Sequence, residues 1–167
     1  MALGSSERPL EILLVEDNPG DARLAQETIK ESEYQANVTL AEDGEAAMAH
    51  LRKEGEHAGS PSPDLVLLDL RLPGKDGTEV LAEMFDDDEL RKIPVFILTG
   101  TEAEQAMLSS YNIPPMRYSR KPLDVRRLDT VIRQLRVFSQ QPIQIPGRSR
   151  GAAQPAGTKK KWWWPFG

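Results

Sequence analysis

Short apolar runs along the chain take turns with stretches in which apolar residues recur every three or four positions. The runs lie in "LEILLVED", "ANVTLAED", "DLVLLD", "IPVFILTG" and, more weakly, "MRYSRKP". They have strand length, and the third and fourth are continuous enough to be buried on both faces. Between and after them come five helical patterns. "GDARLAQETIKES" sets Leu24, Thr28 and Ile29 at helical spacing, with Asp21 placed to cap that helix or complement its dipole. "DGEAAMAHLRKEG" predicts a helix that stops near Gly55, before the loop "GEHAGSPSPD". "GTEVLAEMF" lines up Val80, Leu81, Met84 and Phe85. "TEAEQAMLSSY" is the fourth helix, and "DVRRLDTVIRQLRVF" aligns Leu128, Val131, Ile132 and Leu135 on one face. Strand–helix alternation requires crossover connections, so neighbouring strands run parallel with helices on both faces. The expected fold is α/β: a doubly wound five-stranded parallel sheet with five helices.

The third run poses a chemical question. Leu65, Val66, Leu67 and Leu68 are apolar, yet Asp69 follows at once, where a carboxylate is costly without a partner. In doubly wound sheets ligand sites gather beyond the carboxyl ends of the strands. Glu16 and Asp17 end the first run, Thr99 the fourth, and Lys121 follows the fifth. Clustered carboxylates resist joint ionisation unless a cation relieves them. Mg²⁺ suits such a set, because it takes oxygen ligands and keeps several waters. With Lys121 as a second positive charge and Thr99 as a hydroxyl, the rim tolerates a carboxylate beside a phosphoryl group. Asp69 is then a candidate nucleophile, with an acyl phosphate as product.

The motifs "ILLVEDNPGD", "DLVLLDLRLPGKDG", "IPVFILTGT" and "YSRKP" together resemble the receiver domain of two-component response regulators. "EDNPGDARLAQE", "DGEAAMAHLRKEGE" and "DGTEVLAEM" resemble in particular the single-domain regulators paired with phytochromes. The resemblance covers roughly Leu10 to Phe138 and implies a flavodoxin-like strand order, 2-1-3-4-5. It implies that Asp69 is the phosphoacceptor. Asp17 is then the main metal carboxylate, Glu16 assists through water, and Asp69 itself and the backbone carbonyl of Arg71 complete the Mg²⁺ site. Thr99 becomes the switch hydroxyl that also holds the phosphoryl group, and Tyr118 the switch aromatic whose ring moves inward. Lys121 binds a phosphoryl oxygen, and the bond to Pro122 is expected to be cis. Gly100 is small and leaves the acceptor accessible, whereas the Arg71 side chain is unusual at its position and is expected to alter autodephosphorylation. The implied partner is a histidine kinase, a phytochrome. The output is protein–protein contact or phosphate storage in a relay, and the chain is a phosphoacceptor switch rather than an enzyme.

Other readings fail on named residues. A flavin-mononucleotide binder needs an anion-accepting loop after the first strand, where this chain has Glu16 and Asp17. A phosphatase of the haloacid-dehalogenase type needs a second aspartate two residues past the nucleophile, where this chain has Arg71. Asp86 to Leu90, "DDDEL", reads as a solvated loop capping the next turn rather than a metal cluster. His50 and His57 lack ligand spacing to each other and read as ordinary surface or boundary residues. There is no cysteine, hence no disulfide framework and no thiolate site. The N-terminus lacks the pattern of a signal peptide, no apolar run spans a bilayer, and a cytoplasmic setting is expected.

At 167 residues the chain is expected to hold one domain, residues 10–138, with an N-terminal extension at 1–9. An extended arm at 139–147 and a disordered basic and aromatic tail at 148–167 complete it. All 26 acidic residues precede Pro142, against 16 of the 21 basic ones, so the body carries −10 and the tail +5. An acidic body argues against general nucleic-acid binding, and the tail holds no helix-turn-helix, so no DNA partner is expected. In the arm, Pro142 and Pro146 bracket Ile143 and Ile145, which face one way in an extended segment. Such an apolar arm seeks a groove, and a homodimer through this end is expected. The segment Lys159–Phe166 combines three lysines with Trp162, Trp163 and Trp164. It suits a weak membrane-surface contact, a docking peptide for a partner, or no role at all.

Overall fold

The computed structural model describes residues 8–110 and 112–138. The arm at 139–147 and the tail at 148–167, with the expectations resting on them, lie outside the described residues. The strands are β1 (Leu10–Val15), β2 (Ala36–Ala41), β3 (Leu65–Asp69), β4 (Val95–Thr99) and β5 (Tyr118–Arg120). The helices are α1 (Pro19–Glu31), α2 (Gly44–Leu51), α3 (Gly77–Asp86), α4 (Glu102–Ser110) and α5 (Val125–Phe138). The strands form one sheet in the order β2-β1-β3-β4-β5, every pair parallel. Strand β3 lies in the middle and is buried at every position. That explains its unbroken apolar run: it has no solvent face on which to alternate.

Side-chain alternation along the strands divides the core in two. Leu10, Ile12, Leu14, Leu65, Leu67, Phe96 and Leu98 meet α1 and α5 on one face. Leu13, Val15, Val66 and Leu68 meet α2 and α3 on the other, where Ile97 and Tyr118 also pack against Leu108 of α4. The stripe expected on α5 includes Leu128, Val131 and Ile132, all buried, with Leu135 packed against them.

Three local expectations need correction. Leu24 is 55% exposed, and α1 buries Ala22 and Ala25 alongside the expected Ile29. The sheet leaves α1 room for alanines, so the close-packed stripe runs one position off the large residue. The cap of α1 is Asn18, whose side chain accepts the Asp21 N–H at 2.9 Å, and Asp21 lies in the first turn, placed to complement the dipole as the second of its two expected roles. Helix α2 ends at Leu51, and Gly55–His57 forms a separate 3₁₀ turn within the expected loop. That turn brings His57 back to His50, with Nδ1 atoms 3.3 Å apart and the rings edge to face. Sequence spacing hid this contact, and His50 is buried rather than a surface or boundary residue. In "DDDEL", Asp87 accepts the N–H groups of Glu89 and Leu90, as expected of a capping loop.

Candidate functional site

Parallel register brings the carboxyl ends of the strands to one rim. Val15 lies beside Leu68, Asp69 beside Leu98, and Thr99 beside Arg120. Glu16 and Asp17 follow β1, Asp69 and Thr99 close β3 and β4, and Lys121 follows β5. Two glycines let the loop after Asp69 fold tightly over α2 and α3. A Cβ on Gly77 would stand 2.2 Å from the Asp69 carbonyl oxygen, and one on Gly44 2.0 Å from the Lys75 carbonyl oxygen. Asp76 then caps α3 in a reciprocal box: its carboxylate accepts the Thr78 and Glu79 N–H groups, and Glu79 accepts its N–H. The loop after Asp69 is thus held by close backbone contacts at the two glycines and by the capping box of α3.

Inside the rim, Lys121 is the hub. Its Nζ lies 2.6 Å from Glu16, 3.0 Å from Asp69 and 3.0 Å from Asp21. Burial works to lower the Lys121 pKa, but hydrogen bonds to these three carboxylates prevail and hold it well above its usual value. Burial pushes the Glu16 carboxyl up to about 7, against the opposing pull of Lys121 and the Asn18 N–H. Asp69 spends one oxygen on Lys121 and accepts the Arg71 N–H with the other at 3.1 Å. Glu16, Asp17 and Asp69 each offer a carboxylate oxygen, all within 4.8 Å of one another. Two of the three are buried and Asp17 is exposed. This all-oxygen set, open on the Asp17 side, fits a hard divalent cation that retains waters and could hold one.

The remaining expected residues fall around this core. Thr99 is fully buried, and its hydroxyl donates to the Ser119 carbonyl at 3.3 Å. Tyr118 is buried among Leu70, Ile97 and Leu108. The Lys121–Pro122 bond is cis. A side chain at Gly100 would meet nothing within 4 Å, so the approach past it is open. The Arg71 side chain is mostly exposed and ion-pairs with Glu104 of α4. Sequence reasoning missed Asp21 as a partner of Lys121, and missed Glu104 altogether. Glu104 lies four residues before Leu108, on the inward stripe of α4, and an acid at such a position was the available signal.

Residues 12–133 match the family model described as the response regulator receiver domain. Response regulator Rcp1 of Synechocystis sp. is 40% identical over 141 residues, covering 84% of this chain and 96% of that protein. The solved Mn²⁺-bound form of Rcp1 superposes with a TM-score of 0.61, over 83% of this chain and 100% of that one. The phosphorylated cyanobacterial phytochrome response regulator RcpA gives a TM-score of 0.63 at 39% identity, over 84% of this chain and 100% of that one. The bacteriophytochrome response regulator AtBRR gives 0.70 at 36% identity, over 79% of this chain and 96% of that one. The five-stranded fold, the family match over most of the chain and relatives at this level of identity agree: the chain belongs to the response regulator receiver domain family and is related to the phytochrome response regulators.

Proposed function

We propose that this protein is a single-domain response regulator that accepts a phosphoryl group on Asp69 from the phosphohistidine of a histidine kinase, and that the kinase is a phytochrome. The observation that carries the reading is a buried aspartate at the central strand end, bonded to Lys121 and grouped with Glu16 and Asp17. In the proposed step an Asp69 oxygen attacks phosphorus. The P–N bond to the imidazole breaks as the P–O bond forms, and the imidazole leaves with the electron pair. Lys121 neutralises charge at the acceptor and binds a phosphoryl oxygen. The Thr99 hydroxyl, now on the Ser119 carbonyl, turns to the phosphoryl group, and Tyr118, already inward among Leu70, Ile97 and Leu108, is held there as the switch aromatic. Asp17, Asp69, the Arg71 carbonyl and, through water, Glu16 would hold Mg²⁺, which would supply charge neutralisation at the acceptor. The side chain is consumed and regenerated by hydrolysis, so the protein is a switch and not an enzyme.

The solved structures of phosphorylated RcpA and Mn²⁺-bound Rcp1 support this reading by analogy. Output is by contact with a protein partner or by phosphate storage, in the cytoplasm and without DNA. The proposed molecule is a homodimer joined through residues 139–147, with a weak surface or partner contact by Lys159–Phe166. The test is phosphorylation by acetyl phosphate with Mg²⁺. Wild type is expected to gain one acid-stable, base-labile phosphoryl group, lost with chelator and absent in Asp69→Asn. Equal labelling of Asp69→Asn sinks the assignment.

A further inference from the structure

Among the described residues three acids are buried: Glu16, Asp69 and Glu104. The first two converge on Lys121. Glu104 does not, and a buried carboxylate needs its own partners. It has two. Its Oε1 accepts the Gly100 N–H at 2.8 Å, and its Oε2 pairs with the Arg71 guanidinium. Both donors border the acceptor. Gly100 lies two residues past Leu98, the register partner of Asp69, and immediately after Thr99. Arg71 lies two residues past Asp69 and donates its backbone N–H to the Asp69 carboxylate. Glu104 is fastened in turn to the start of α4, where its own N–H donates to the Thr101 hydroxyl at 3.1 Å. One carboxylate therefore ties the loop after β3, the loop after β4 and helix α4 together.

An aspartyl phosphate would bring close to two negative charges and three acceptor oxygens to this rim. The Gly100 N–H and the Arg71 guanidinium are donors suited to such a group, and both are engaged by Glu104. Two anions competing for the same donors in a partly buried site repel strongly. We propose that Glu104 is a positioning residue of the switch: in the unphosphorylated protein its carboxylate withholds the Gly100 N–H and the Arg71 guanidinium from Asp69, and it releases them when the phosphoryl group arrives. This rests on the reading of Asp69 as phosphoacceptor. Release of Glu104 frees the first turn of α4, so the phosphorylation state is passed to that helix through the Arg71–Glu104 pair. The neutral amide of Glu104→Gln keeps the size and an acceptor oxygen but gives up Arg71 and the Gly100 N–H more readily.

The experiment uses full-length protein with Mg²⁺ and beryllofluoride, which adds to a carboxylate as a phosphoryl analogue, with binding followed by ¹⁹F NMR. Glu104→Gln is expected to bind beryllofluoride about fivefold more tightly than wild type, in line with loss of a charge-assisted competitor. A merely structural residue would leave affinity unchanged or weaken it, so either of those results overturns the proposal. In wild type, the Arg71 Nε–H and Glu104 carboxyl resonances are expected to shift on beryllofluoride addition. Invariant resonances overturn the proposal even where the variant fails to fold. Failure of the acceptor reading is separately visible: wild type then binds beryllofluoride no better than Asp69→Asn, and the latch falls with it.

Discussion

Gly77 is required by a distance. A methyl group there would press on the carbonyl oxygen of Asp69 at 2.2 Å, and that oxygen belongs to backbone that cannot swing aside. Gly100, by contrast, faces open space. Gly77→Ala should therefore lose about 1–3 kcal/mol by overpacking, whereas Gly100→Ala should change stability by less than about 0.5 kcal/mol. Urea denaturation of both variants checks this, and equal losses would show that the close approach at Gly77 relaxes freely. Gly77→Ala should also slow acetyl-phosphate labelling, because the displaced carbonyl is that of the proposed acceptor. At Lys121 the same scale explains retention of a half-buried cation. Removing it would leave Glu16 and Asp69 facing each other without compensation, which is more costly than the loss of any one ion pair.

At the scale of elements, α2 is tied to the following 3₁₀ turn by two imidazoles. The His50–His57 contact needs one Nδ1 to donate and the other to accept. Burial, then the neighbouring His57, lowers the His50 pKa below its usual 6.5, with Glu11 pulling the other way. A base with a lowered folded pKa binds more protons when unfolded, so its contribution is complete above 6.5 and lost as pH falls through the folded value. Glu16 works oppositely: with a folded pKa raised from 4.5 to about 7, its contribution is complete below 4.5 and lost as pH rises through 7. The two slopes overlap and must be separated by substitution. Relative to wild type, His50→Gln should lose stability at pH 7.5 and show a flatter decline from pH 6.5 downward. Urea denaturation across that range reads it, and parallel curves for the two proteins would show that His50 titrates alike in both states. The sheet itself is less sensitive to pH, since its core strands β1 and β3 are apolar over nearly all their length.

At the scale of the whole molecule, the acidic body and basic tail are distinct in charge, and the proposed assembly rests on the apolar segment between them. The proposed dimer predicts that full-length protein sediments as a dimer at micromolar concentration. Replacing Ile143 and Ile145 by aspartate should yield monomers, because charges in the arm cannot enter an apolar groove. A wild-type monomer across that range, with and without phosphorylation, removes the dimer. The same sample reports on the tail, since the only three tryptophans, Trp162, Trp163 and Trp164, lie in it. A blue shift of their fluorescence with anionic vesicles, reduced by salt, fits the membrane-surface reading. A shift only with the cognate kinase fits docking, and none with either leaves the tail without a role in these contacts.

The sequence by itself determined the architecture, because strand and helix periods differ and alternation leaves little choice but a parallel sheet. It also marked the polar residues that converge at the strand ends, since a polar residue closing a buried run is conspicuous in one dimension. What depends on separation in three dimensions was settled only by the tertiary structure. Nothing local links His50 to His57 across a turn, Asp21 to Lys121 across a hundred residues, or Glu104 to Arg71 across two loops. The inward face of α1 was misread for the same reason: helical period identifies a stripe, but the space beneath it decides whether leucine or alanine fills it.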